Sequence, residues 1–102
     1  MLVFDRTHFD MMTGADRALQ LEVLGLFRAQ VAAWNGDGAP GWRDAAHAMK
    51  GAARGIGLIA LAAACDAAEQ APENERLPAL ARVDAALEEA LKALEQFAAA
   101  HA

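Results

Sequence analysis

Apolar residues recur along this chain every three or four positions, the spacing that lays a stripe down one face of an α-helix. Asp5 is placed to cap a short first helix reaching about Met12, which Thr13 and Gly14 break. Asp16 or Thr13 opens a long second helix to about Trp34, with Leu19, Val23, Leu26, Phe27 and Val31 on the apolar period. Residues 35–41, NGDGAPG, are the clearest loop. A third helix runs from about Trp42 to Arg54 or Ile56 and ends around Gly55 and Gly57, where glycine is expected. The fourth extends from Leu58 to Ala71, with Leu61, Ala62, Cys65 and Ala68 inward and Asp66, Glu69 and Gln70 toward the polar side, and Pro72 ends it. The fifth begins near Leu77 and Pro78 and continues to about Ala99. Leu80, Val83, Leu87, Leu91, Leu94 and Phe97 or Ala98 form its seam, and Glu88, Glu89, Lys92 and Glu95 its wet face. Four long helices with short connections predict an all-α fold, an antiparallel four-helix bundle with a short additional N-terminal helix as a lid over one end. The last five residues are expected to fray, and residues 1–102 read as a single domain without internal repeats.

Composition narrows the function. A chain of 102 residues has room for one hydrophobic core but not for a core and a separate substrate domain, which disfavours enzymes with deep pockets. Alanine and leucine dominate, Tyr is absent, and the three prolines fall outside the longest periodic runs, all consistent with helices. The single Cys65 cannot pair within the chain, and the opening MLVFDRTHFD has no basic region followed by a long apolar stretch, so a cytoplasmic location is expected. No apolar run approaches the roughly eighteen residues of a membrane span. The net charge of -5 argues against nucleic acid and anionic lipid as partners.

One stripe contradicts that global charge. Wound as a helix, AHAMKGAARGIG places His47, Lys50, Gly51 and Arg54 together, with Arg43 one turn earlier, all within roughly 60° of the histidine. Met49, Ala52 and Ile56 fall opposite. An imidazole flanked by cations and by a missing side chain is suited to hold a phosphoryl group. Gly51 costs about 0.5–1 kcal/mol relative to alanine in a helix interior, so clearance for a second protein explains it better than chance in so alanine-rich a chain. The alternatives are weaker. Lys50 and Arg54 can also complement a helix C-terminus, His8 and His101 read as surface residues without a task, and Cys65 as a small core residue. One Cys and three scattered His make no zinc set, and a His–Met haem site would need a ligand from the first helix.

Residues 46–69, AHAMKGAARGIGLIALAAACDAAE, resemble the signature of the histidine-containing phosphotransfer family. His47 is followed by Lys50 and Gly51, then by Gly57, Leu61, Cys65 and the carboxylate of Glu69, each at the matching place. Met49, Ala52 and Ala68 depart from the common pattern at packing positions. The resemblance implies a phosphoryl carrier of a bacterial-type two-component phosphorelay, exchanging phosphate between His47 and an aspartate of a response-regulator receiver domain, with a hybrid or sensor histidine kinase upstream. It implies no independent active site and no cofactor on this chain, the divalent metal being supplied by the receiver. Within that reading His47 is the phosphoacceptor and Glu69 accepts a hydrogen bond that fixes the imidazole tautomer. Lys50, with Arg54 and Arg43, stabilises phosphoryl charge, and Gly51 clears the approach. A monomer is expected. The rival reading is a helical adaptor that binds partners and carries no phosphate, with an oligomerisation module built on the fifth helix as a third.

Overall fold

A computed structural model describes residues 1–100 as an all-α bundle of five helices: α1 Arg6–Thr13, α2 Arg17–Ala32, α3 Trp42–Ile56, α4 Ile59–Gln70 and α5 Arg76–Ala100, with a 3-10 turn at Glu73–Glu75 before α5. The caps are local chemistry. Asp5 accepts from the His8 N–H and Asp16 from the Leu19 N–H, each satisfying a donor that the first turn leaves open. Pro78 lies in the first turn of α5, where a missing N–H removes no helical bond. At the other end α5 remains helical through Ala100, so fraying does not begin at Ala98; His101 and Ala102 lie outside the described residues.

The core is formed by one face of each helix. Leu61, Ala62, Cys65 and Ala68 of α4 are buried as the period requires, as are Leu80, Val83, Leu87, Leu94 and Phe97 of α5, while Leu91 is half-buried. Helix α2 is different: Gln20, Leu24 and Phe27 face inward, and Leu19 and Leu26, expected in the core, are exposed. Apolar residues cover more than half of the α2 circumference, so periodicity alone does not choose between two faces. The deciding partner is polar. Gln20 Nε2 donates to Asp10 Oδ1 (2.8 Å) and Thr13 Oγ1 (3.1 Å), which satisfies the buried amide and locks α1 onto α2.

Helix α1 closes one end through a cluster of three rings, Phe4, Phe9 and Phe97, with centroids 5.5–5.6 Å apart. The segment before it crosses the α3–α4 turn. There the Asp5 N–H donates to the Gly57 carbonyl (2.8 Å) and the Ala60 N–H to the Leu2 carbonyl (3.0 Å), so the N-terminal segment satisfies an open donor of α4. Gly57 has φ +90°, and a Cβ there would lie 2.8 Å from the Asp5 carbonyl oxygen. Both facts require glycine at this reversal.

Candidate functional site

The reversal at Gly57 lays α4 antiparallel to α3, and side chains meet in steps of one turn. His47 reaches Glu69 and Lys50 reaches Asp66 (3.2 Å) on α4, and Arg43 reaches Glu73 (3.8 Å) in the 3-10 turn beyond it, so successive turns of α3 meet successive turns of the returning chain. His47 stands exposed in this ladder, with 69% of its side chain accessible. Its Nδ1 is hydrogen-bonded to Glu69 Oε1. The other oxygen of Glu69 accepts from Lys50 Nζ (2.5 Å), and Lys50 also donates to Asp66 Oδ1.

Burial and charge follow from that geometry. Only 12% of the Lys50 side chain and 21% of Glu69 is accessible, so the pair lies between the helices while the imidazole stands above it. The hydrogen bond from Lys50 holds the Glu69 carboxyl below its ordinary range, against the opposing effect of burial. Reciprocally, the bond to Glu69 raises the Lys50 ammonium above its ordinary value, and Lys50 lowers Asp66 in the same way. A carboxylate that stays ionised has no proton to give. Nδ1 of a neutral His47 must therefore be the donor, which leaves the lone pair of Nε2 unprotonated.

The remaining stripe residues divide between the site and its support. Arg43 Nη1 donates to the Glu69 carbonyl (2.7 Å), one of the open acceptors at the end of α4, and its guanidinium stacks on Trp42, 4.3 Å from the ring. Arg43 thus holds the backbone that carries Glu69. Arg54 is exposed and makes no ion pair among the described residues. Gly51 is exposed, and a Cβ at this position would meet nothing within 4 Å, so no neighbour inside the protein requires it to be glycine. His8 lies on the surface of α1, with its ring near Gly57 at the α3–α4 turn.

The sequence of the chain matches the Hpt domain family over residues 10–97. The chain belongs to this family. Its structure is also similar to the crystal structure of the histidine phosphotransferase ShpA from Caulobacter crescentus, at a TM-score of 0.84 and 35% sequence identity, over 98% of this chain and 94% of the other. No curated protein sequence gives a significant match. Within this Hpt fold, Cys65 is fully buried beneath the ladder, and burial pushes its thiol up to about 12, which keeps it an inert packing group. Asp66 is the site residue that helical periodicity places on the polar side without a task. Its signal is the register: a turn centred near residue 58 pairs position 50 with position 66 as surely as 47 with 69.

Proposed function

We propose that this Hpt chain carries a phosphoryl group on Nε2 of His47, to or from the aspartate of a response-regulator receiver domain in a two-component phosphorelay. The observation that carries the reading is an imidazole two-thirds exposed at its outer edge while Glu69 holds its inner nitrogen. In the exchange the Nε2 lone pair attacks the phosphorus of the receiver's aspartyl phosphate. The P–Nε2 bond forms as the P–O bond breaks, and the aspartate leaves with the electron pair. No proton need move. The product ring keeps its Nδ1 proton and gains positive charge, which the Glu69 carboxylate stabilises and Lys50 keeps available by holding that carboxylate ionised. Arg54, exposed and in no ion pair among the described residues, can also meet the transferred group. The receiver supplies its acidic residues and divalent metal, and a sensor or hybrid kinase lies further along the relay.

Docking of the receiver falls on the side of α3 that faces α1 and α2. There Met12 and Leu26 are exposed beside Val23, Gly51 and Gly55, forming a shallow apolar hollow one turn from His47. A monomeric, cytoplasmic carrier fits this arrangement, and no helix among the described residues is long and apolar enough to cross a membrane. The test is transfer from a purified, labelled phospho-receiver. Wild-type chain should acquire acid-labile, alkali-stable phosphate, and His47→Gln should fold with stability within about 0.5 kcal/mol yet acquire none. Labelling retained in His47→Gln would overturn the assignment.

A further inference from the structure

Asp66 is the α4 carboxylate of the ladder for which the exchange itself has no use. It lies on α4 three residues before Glu69, 40% of its side chain accessible. Its Oδ1 accepts from Lys50 (3.2 Å) and its Oδ2 from Gln70 Nε2 (3.2 Å), so neither oxygen is left to chance orientation. Arg54, one turn beyond Lys50 on α3, also attracts it across the groove. Two carboxylates therefore converge on one ammonium, although one is enough to orient His47.

We propose that Asp66 is a positioning residue that sets the poise of the exchange, sharing Lys50 with Glu69 and thereby lowering the stability of the phosphorylated imidazole relative to the free one. This rests on the reading of His47 as the carrier. The sign follows from charge. Transfer to His47 breaks the receiver's P–O bond, forms P–Nε2 and brings close to two negative charges to the ring, and the reverse exchange removes them. A fixed anion nearby opposes that arrival, and a fixed cation favours it. The charge of Glu69 is matched by the imidazolium it faces, but Asp66 has no such counterpart and draws on Lys50 and Arg54 instead. With Asp66 in place His47 releases its phosphoryl group more readily than a ring backed by Lys50 and Glu69 alone.

The experiment measures the equilibrium partition of label between His47 and a receiver domain that exchanges with the full wild-type chain. Asp66→Asn should shift the partition toward His47 by about three- to tenfold at low ionic strength, with the shift shrinking as salt is added. Asp66→Glu should restore a partition close to wild type, and Asp66→Asn made in a Lys50→Met background should shift it less, because the effect runs through Lys50. Asp66→Ser serves as a second neutral variant, with circular dichroism reporting the fold of each. An unchanged partition in the neutral variants, a shift toward the receiver, or a shift only in the less stable of the two would overturn the proposal. Wild-type chain that takes no label overturns the carrier reading and this one together, whereas labelling with an unmoved partition overturns this one alone.

Discussion

His47 has to satisfy two demands that usually conflict: exposure to a partner and a fixed ring. The ladder resolves them by dividing the imidazole, with Nδ1 held from below by Glu69 and the outer edge left open. Glu69→Gln retains an acceptor and should transfer within a few-fold of wild type, whereas Glu69→Ala frees the ring and should slow transfer by about tenfold or more. Nitrogen shifts of His47 report the cause directly, and a wild-type proton on Nε2 would remove Glu69 from the mechanism. The same pair predicts a pH dependence. Because the folded-state pKa of Glu69 is depressed, its contribution to stability is present above the unfolded value of about 4.3 and lost as pH falls through the lower folded one. The stability difference between wild type and Glu69→Gln should thus shrink as pH falls below about 4.3, as measured by thermal unfolding in acid. A difference that persists unchanged into acid pH would show that the Glu69 carboxylate is not the group responsible. The motif spacing makes His47, Lys50 and Glu69 legible as one constellation. Where the Lys50 ammonium points is not legible, since a helical stripe fixes a residue's azimuth but not which of two adjoining helices offers it a partner.

Helix α3 carries the proposed phosphoryl carrier because its two sides differ. Trp42, Ala46, Met49, Ala53 and Ile56 are buried, and the outer side presents His47, Gly51, Arg54 and Gly55. Small residues, Ala62, Cys65 and Ala68, make up most of the inner face of α4, which lets the helices approach closely enough for Asp66 and Glu69 to reach Lys50. The sequence reveals these two helices nearly to the residue, since a glycine with positive φ ends α3 and Pro72 follows α4. On α2 it is right about Val23, Phe27 and Val31, which pack against the core, but not about Leu19 and Leu26, which are exposed while Gln20 and Leu24 turn inward. Gly51 supplies the element's own test. Alanine there meets nothing inside the protein and removes backbone freedom from the unfolded chain, so Gly51→Ala should raise stability by about 0.5–1 kcal/mol. The added methyl, and more so a leucine, should weaken receiver binding while leaving the His47 tautomer unchanged. Calorimetric binding alongside thermal unfolding separates the two effects, and tighter binding accompanying higher stability would show that the glycine is there for some purpose other than clearance.

Across the whole molecule, polar chemistry and apolar exposure are sorted onto adjoining surfaces. The ladder occupies the α3–α4 groove, and the exposed Met12 and Leu26, on α1 and α2, line a hollow with Gly51, one turn from His47. That sorting depends on the N-terminal segment, which ties the α3–α4 turn to α1 at Gly57 and so fixes α1 relative to the histidine. No periodicity could announce this, because the link is made by backbone groups of residues 2 and 5. Exposed Leu26 and Met12 are the physical case for a partner on this side, since scattered apolar residues are ordinary but a pair lining one hollow a turn from the proposed carrier is not. Leu26 is the sharpest probe, being 68% accessible and lining the hollow that contains Gly51. Leu26→Glu should leave unfolding within about 0.5 kcal/mol of wild type, because little packing is lost, but should weaken receiver binding by about tenfold or more by placing a charge where apolar surface is buried. Arg82→Glu, exposed on α5, reverses a charge elsewhere and should leave binding unchanged. Calorimetry against the receiver that labels His47 measures both. Wild-type affinity in Leu26→Glu, or a loss in Arg82→Glu as large as that in Leu26→Glu, would move the docking face away from α1 and α2 and leave the exposed Leu26 and Met12 without a partner.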